Sequence, residues 1–327
     1  MGAPKIACRT RQTPGRDPQL MALTHLVPGV FGIDTQLGGW HRISAGYLIE
    51  GPRPVLIETG SQSSVEVLLA SLDQLGVAAG DLVGVVVTHI HLDHAGGVGD
   101  VARTFPKAKV YVHENGARHL VDPTRLVRSA AMVYGPLVDS LFGRLEPTPV
   151  EPVHVLKDGE KIDIGGGRTL GAIDSPGHAK HHLGLVDSGS GLLFAGDAVG
   201  IRLPDGGPLR PATLPPDFDL KAALASLHRF SRARPTAIAL AHYGLVPVEP
   251  QELLEEAEES LRAWAEEAEQ AWRSGRDIAE ALQARFVPKT EDLPADQPQA
   301  LGILAGVHSN AARLRRRFEQ QAEVPDT

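Results

Sequence analysis

The stretch Val85 to Gly97, V-V-V-T-H-I-H-L-D-H-A-G-G, constrains this chain more than any other. Three valines run into Thr88, and four potential metal ligands follow at once: His89, His91, Asp93 and His94. A β-branched run closed by a glycine turn reads as a buried strand. The ligands therefore lie where a strand ends, which is where an α/β sheet carries its chemistry. If the strand geometry persists, His89, His91 and Asp93 share one side and His94 faces another, so one stretch could serve two neighbouring cations. Three imidazoles and a carboxylate beside a buried strand are costly without a partner, and a metal ion is the partner this donor set suits.

With 327 residues the chain accommodates one large α/β domain, or such a domain with a smaller appendage. Cys8 is the sole cysteine, which excludes an intrachain disulfide and Cys-rich zinc sites; any metal must be held by nitrogen and oxygen. No apolar run reaches the roughly 18 residues of a membrane span, and the net charge of −8 speaks against nonspecific nucleic-acid binding. The expectation is a cytoplasmic enzyme acting on a small molecule, with no nucleic-acid or membrane partner. Residues 1–20, with Lys5, Arg9, Arg11 and Arg16 among prolines and no apolar core, read as a disordered leader rather than a signal peptide.

From Thr24 to Glu58 short apolar runs separated by Gly and Pro pairs predict an antiparallel meander. Ser61 or Ser63 can cap a helix reaching Leu75, and the strand Leu82 to Thr88 then follows in parallel. After a strand from Ala108 to His113 and a short helix, the segment Asp122 to Val150 is amphipathic and bracketed by prolines, reading either as a substrate lid or as a packed helix pair. His113 and His119 are read as structural or surface residues. Strands are expected at Val153–Leu156, Lys161–Ile164, Thr169–Asp174, Leu183–Val186, Leu192–Ala195 and Thr236–Ala241, the first of them opening a second half. Beyond Pro247 a Leu, Ala and Trp stripe on a Glu-rich sequence predicts a helix ending at Gly275, with two more at Asp277–Phe286 and Gln299–Arg317.

The H-x-H-x-D-H pattern of His89, His91, Asp93 and His94 resembles the signature of the metallo-β-lactamase superfamily of metallohydrolases. Ser175-Pro-Gly-His178 is similar to that family's third-histidine motif, Phe194-Ala-Gly-Asp197 to its bridging-aspartate motif, and Ala241-His242-Tyr-Gly to its last-histidine motif, all in the family's order. The resemblance implies an αββα sandwich over residues 21–248, with residues 249–327 as a helical C-terminal extension able to pack on the sandwich, cover the site or mediate a homodimer. It also implies two cations, with zinc expected and iron or manganese also suited to imidazole and carboxylate. His89, His91 and His178 would hold the first ion, Asp93, His94 and His242 the second, and Asp197 would bridge them. Asp93 would also orient the water that the cations ionise. Glu58, in the Glu-Thr-Gly that stands where the family usually has Asp, would orient a ligand histidine from behind. His182, Tyr134 and Tyr243 are candidates to line the substrate pocket, with a supporting role behind the ligands equally open for His182.

Hydrolysis of a small ester, thioester or lactone, in the manner of glyoxalase II or acyl-homoserine lactonases, is the activity this resemblance implies first. A mononuclear-iron persulfide dioxygenase would need only His89, His178 and Asp197 of this set. A metal-dependent nuclease would need a basic groove that the charge pattern lacks.

Overall fold

A computed structural model describes residues 22–204, 208–213 and 218–286, with residues 311, 314, 315 and 318; the expected leader lies outside the described residues. Leu23–Val27 (β1), Val30–Asp34 (β2), Ala45–Ile49 (β3) and Val55–Ile57 (β4) form the expected meander. Gly84–Val86 (β5), Lys109–Val112 (β6) and Val153–Val155 (β7) then add in parallel, giving seven strands in chain order. β7 corrects the expectation that Val153 opens a second half. The helical segment before it is long enough for a crossover, so the chain returns parallel to β6 in the first sheet.

The second sheet holds Lys161–Gly165 (β8), Arg168–Asp174 (β9), Leu183–Asp187 (β10), Leu192–Phe194 (β11), Ala237–Leu240 (β12) and Gly244–Leu245 (β13), also in chain order across the sheet. Helices flank the two sheets: Val65–Gln74 (α1), the single turn Leu92–Ala95 (α2), Val98–Thr104 (α3), Glu114–Val121 (α4), Thr124–Tyr134 (α5), Val138–Leu141 (α6), Leu220–Ala233 (α7), Pro250–Arg273 (α8) and Ile278–Phe286 (α9). α1 begins later than expected. A 3-10 turn at Gln62–Ser64 precedes it, and Ser64 stands at its cap without a side-chain bond, while the Ser61 hydroxyl is engaged with those of Ser63 and Ser64. Asp219 caps α7 as expected, accepting from the amide of Ala222.

Strand alternation assigns each face to a layer. Val55, Ile57 and Val86 turn inward to meet Leu185, Leu192 and Phe194 of the other sheet. Leu56 and Val85 turn outward against Leu68 and Leu72 of α1 and Val101 of α3. Leu193, Ile238 and Leu240 face outward against Leu227 and Phe230 of α7 and Leu253, Leu254 and Leu261 of α8. The result is an αββα sandwich. Strands buried on both faces read as continuous apolar runs, as the Val85 stretch does. The C-terminal helices pack on the sandwich through α7, and Trp264 is buried with Ile278 and Leu282 of α9, as expected of packing. Of the helix expected at Gln299–Arg317, only Ala311, Leu314 and Arg315 fall among the described residues.

Backbone bonds join the sheets close to the ligand-bearing loops. The amide of Leu183 donates to Thr88 O at 2.8 Å and that of Ala45 to Ala241 O at 2.9 Å, while the Tyr47 hydroxyl donates to Leu240 O. Gly184 of β10 lets α7 close down: a Cβ there would stand 2.4 Å from Phe230 Cε1. Phe230→Ala should therefore leave a cavity that the rigid sheet cannot fill, lowering stability by about 3–5 kcal/mol. Urea unfolding of the two proteins measures it, with little change expected in the denaturant slope.

Candidate metal centre

Each ligand candidate lies past the end of a strand: Glu58 after β4, His89 to His94 after β5, His178 between β9 and β10, Asp197 after β11 and His242 after β12. The extended run expected through Asp93 does not form. β5 ends at Val86, His91 is extended (φ −62°, ψ 153°), and Asp93 and His94 sit on α2. A helical turn rotates successive side chains by about 100°, so His89 and His91 reach one group of ligands while Asp93 and His94 reach another. The chain does serve two sides, through a change of secondary structure rather than strand alternation.

The first group is His89, His91 and His178; the second is Asp93, His94 and His242. His91 Nδ1 lies 3.0 Å from His89 Nε2 and 3.0 Å from His178 Nε2. Asp93 Oδ2 is 3.5 Å from His94 Nε2 and 3.4 Å from His242 Nε2. Asp197 stands between the groups. Its Oδ2 is 3.5 Å from His178 Nε2, and its Oδ1 is 3.6 Å from both His94 Nε2 and His242 Nε2.

Bonds at the back of each ring set which nitrogen faces the centre. His178 Nδ1 donates to Ala212 O at 2.8 Å and His242 Nδ1 to Ile43 O at 2.7 Å. A ring nitrogen bonded to a carbonyl must carry a hydrogen, so in the neutral ring Nε2 presents a lone pair. His89 is held the same way by a relay. Thr88 Oγ1 donates its single hydrogen to Glu58 Oε1 and lies 3.0 Å from His89 Nδ1, which is therefore the donor. Glu58 thus acts on His89 through Thr88, while standing 3.9 Å from His94 Nδ1.

The donor set fits a metal. Lone pairs of His89 and His178 both converge on His91 Nδ1, which carries at most one hydrogen. His94 Nε2 and Asp197 Oδ1 are buried with no hydrogen-bond partner. Buried acceptors crowded in this way are costly unless a cation meets them, and imidazole with carboxylate suits zinc, iron and manganese.

The charges agree. Burial and then neighbouring imidazoles lower the pKa of His89 and His91, and burial lowers that of His94 against the opposing pull of Asp93 and Asp197, so these rings are neutral and ready to ligate. Burial works to raise the Asp93 carboxyl, but His94 and His242 outweigh it and hold the group well below the usual carboxylate range. Burial also opposes protonation of His242, yet Asp197 and Asp93 prevail and raise it from 6.5 to about 9. Burial lifts Glu58 to about 8 against its Thr88 hydrogen bond, with Asp197 and Asp93 adding to the rise.

Of the three pocket candidates, His182 takes the supporting role that the sequence left open, while Tyr243 and Tyr134 both pack against the apolar cluster of Leu37, Leu92 and Phe142. His182 is fully buried behind the ligands: its Nδ1 pairs with Ser175 Oγ at 2.8 Å and its Nε2 accepts from the amide of Asp197 at 3.1 Å. It holds the Asp197 backbone and has no access to substrate. Gly196 is required at this contact, because it adopts φ 51° and a Cβ would lie 2.5 Å from His182 Nε2. The Tyr243 phenol has Asp34 and Arg42 as its charged neighbours, and burial with Asp34 pushes it up to about 12. Tyr134 differs. Burial and the carboxylates of Asp93 and Asp197 raise its pKa well above the ordinary value, so it lies within their field. It stacks edge-on to Phe142 at 5.0 Å, in an apolar cluster with Leu37, Leu92 and Leu141 that spans α2, α5 and α6.

Thr88 and Ser175 were not singled out from the sequence, although one directly precedes the histidine motif and the other opens Ser-Pro-Gly-His178. The remaining structural expectations concern His113 and His119. His113 Nδ1 caps α4 by accepting from the amide of Asn115 at 3.0 Å, and His119 lies on that same helix, outside both groups.

Two outcomes follow from this geometry. Asp197→Asn, which keeps the shape but removes the charge facing both groups, should lower the metal-to-protein ratio after equilibrium dialysis, and His182→Ala should lower it less. Because the proton on His242 must leave before its lone pair can ligate, metal uptake at pH 7–8 should release protons, and apparent affinity should rise with pH toward about 9. Titration of the metal-free protein in weak buffer reads this directly. The stabilisation that protonated His242 gives the metal-free fold is complete below its ordinary 6.5 and is lost as pH rises through about 9.

Among the described residues, no helix is long and apolar enough to cross a membrane. Residues 38–242 match the Metallo-beta-lactamase superfamily. The chain is 32% identical over 223 residues to the metallo-beta-lactamase fold-containing protein ST1585 of Sulfurisphaera tokodaii, covering 64% of this chain and 79% of that one. The crystal structure of ST1585, an archaeal superfamily protein, superposes with a TM-score of 0.67 at 26% identity, covering 88% of this chain and 98% of that chain. A hydroxyacylglutathione hydrolase from Synechococcus is 29% identical over 153 residues, 47% of this chain and 48% of its own. An acyl-coenzyme A thioesterase, MBLAC2, from Bos taurus is 30% identical over 119 residues, 35% of this chain and 40% of its own. The chain thus spans half or less of these last two relatives. The family match, over more than half of the chain, and the αββα sandwich agree: this chain belongs to the metallo-beta-lactamase superfamily.

Proposed function

We propose that this chain is a metal-dependent hydrolase acting on a small thioester, with esters and lactones as weaker substrates, and that it uses two divalent cations, zinc first. The observation that carries this reading is the position of Asp197, whose two oxygens face two different sets of histidines. Thioesters are preferred over other acyl compounds because two of its relatives are named for cleaving acyl–sulfur substrates.

Cations in these positions would supply the Lewis acidity that ionises water near neutral pH and polarises an acyl carbonyl. The protein's own residues do the rest. His89, His91 and His178 on one side, and Asp93, His94 and His242 on the other, fix the site, each ring locked by a bond at its far nitrogen or by its neighbours. Asp93, with a side chain 12% exposed, reaches the open side, where its carboxylate can orient the attacking water and pass a proton to the leaving group. Tyr134, packed against Phe142 in the apolar cluster beside Leu92, can offer its phenolic hydrogen to an acyl oxygen. The apolar cluster around Leu37, Leu92 and Phe142 excludes water from the acyl side. A single-iron dioxygenase would need only part of this set and gives no reason for a second group of Asp93, His94 and His242.

Metal-loaded protein should hydrolyse short acyl thioesters with a higher kcat/KM than matched oxygen esters or lactones. Asp93→Asn should lower kcat about a hundredfold or more. Failure on all three substrate classes, or thiol-dependent oxygen consumption with one iron per chain, would overturn the reading.

A further inference from the structure

Among the described residues nothing neutralises the buried cation of Arg210. The residue is 6% exposed, and its Nε and Nη1 have no hydrogen-bond partner. Among the described residues no carboxylate pairs with it, whereas Arg202 pairs with Glu256 and Arg168 with Asp187. Burial alone acts on its charge, pulling the pKa down to about 10, so the guanidinium stays charged at neutral pH. An uncompensated buried charge loses hydration and gains no counter-charge, which is among the costlier things a fold can carry.

Its place in the fold points to a use. Arg210 and Ile201 pair backbone to backbone, with Ile201 N to Arg210 O at 2.8 Å and Arg210 N to Ile201 O at 2.9 Å. Residues directly paired in an antiparallel bridge present their side chains to the same face. Ile201 packs in the apolar cluster over the candidate metal centre, with Leu92 and Phe142. Leu209, one residue earlier, packs on the opposite side beneath α8. Two residues after Arg210, Ala212 belongs to the same cluster as Ile201, and its carbonyl holds His178. The bridge therefore sets Arg210 on the same face as Ile201, two residues before the carbonyl that holds His178.

We propose that Arg210 receives an anionic group of the substrate, a carboxylate or a phosphate, while the apolar cluster takes the uncharged part. A planar guanidinium with free N–H groups suits two-point recognition of either anion. The assignment deepens the hydrolase reading and rests on it for the word substrate, but the anion site itself can be tested without turnover.

Thermal unfolding of wild type, Arg210→Met and Arg210→Lys, each metal-free and metal-loaded, with acetate or inorganic phosphate at constant ionic strength, tests it. Wild type should show a saturable rise in Tm in both metal states. Arg210→Met should melt higher than wild type without anion, because an unpaired charge is gone, and should bind the anion about tenfold or more weakly. Arg210→Lys, a point charge without the fork, should keep part of the response. A larger response to phosphate would assign the charge to a phosphate-bearing carrier, and a larger response to acetate to a carboxylate on the substrate. No saturable response in metal-free wild type, an unchanged response in Arg210→Met, or a lower anion-free Tm in that variant would overturn the proposal. An intact anion response in a protein that hydrolyses nothing would support the anion site while removing the hydrolase reading.

Discussion

The structure depends on a set of electron-pair donors gathered where water is scarce. His89 and His178 are each bonded at Nδ1 and turn acceptors inward, His242, bonded the same way, does so once its inward proton leaves, and Asp93 and Asp197 add oxygens of the same character. Acceptors cannot satisfy one another. A fold that crowds so many acceptors together with too few hydrogens to share favours an external cation, and this makes the centre a binding site rather than a polar flaw in the core.

The rest of the architecture serves that convergence. Two sheets close on each other through an apolar layer, and the bonds from Leu183 to Thr88 and from Ala45 to Ala241 pin their edges together where the ligand loops emerge. Behind the ligands a second tier holds them in orientation: Glu58 and Thr88 behind His89, and Ser175 and His182 behind Asp197. Such supporting contacts set ring orientation and ligand basicity. On the open side, the segments around Leu37 and from α5 through α6 bring apolar side chains and Tyr134 together with Leu92, next to the ligand Asp93.

Much of this was legible in the sequence because strands and ligands leave separable signals. The valine run and the helical stripe of α1 announced their layers through periods of 2 and 3.6 residues, and the spacing of His89, His91, Asp93 and His94 announced the centre. What could not be read was three-dimensional. Nothing in Val153–Val155 says which sheet it joins, since a parallel and an antiparallel partner ask for the same residues. The turn at Leu92–Ala95 overrode the alternation expected of a strand. His182 and Tyr243 sit beside motif residues in sequence, but adjacency does not fix direction: one turns inward to the Asp197 backbone and the other toward Arg42. Arg210 carries no motif, and its isolation emerges only when its neighbours in space are known.

The proposed hydrolase would hold two cations on the Asp197 carboxylate, one with each group of histidines. Anomalous diffraction from crystals grown with zinc tests it most directly. The account predicts two peaks about 3.5–4 Å apart, one beside His89, His91 and His178, the other beside Asp93, His94 and His242, with one Asp197 oxygen directed at each. A single peak confined to one group, or none at saturating zinc, would contradict it.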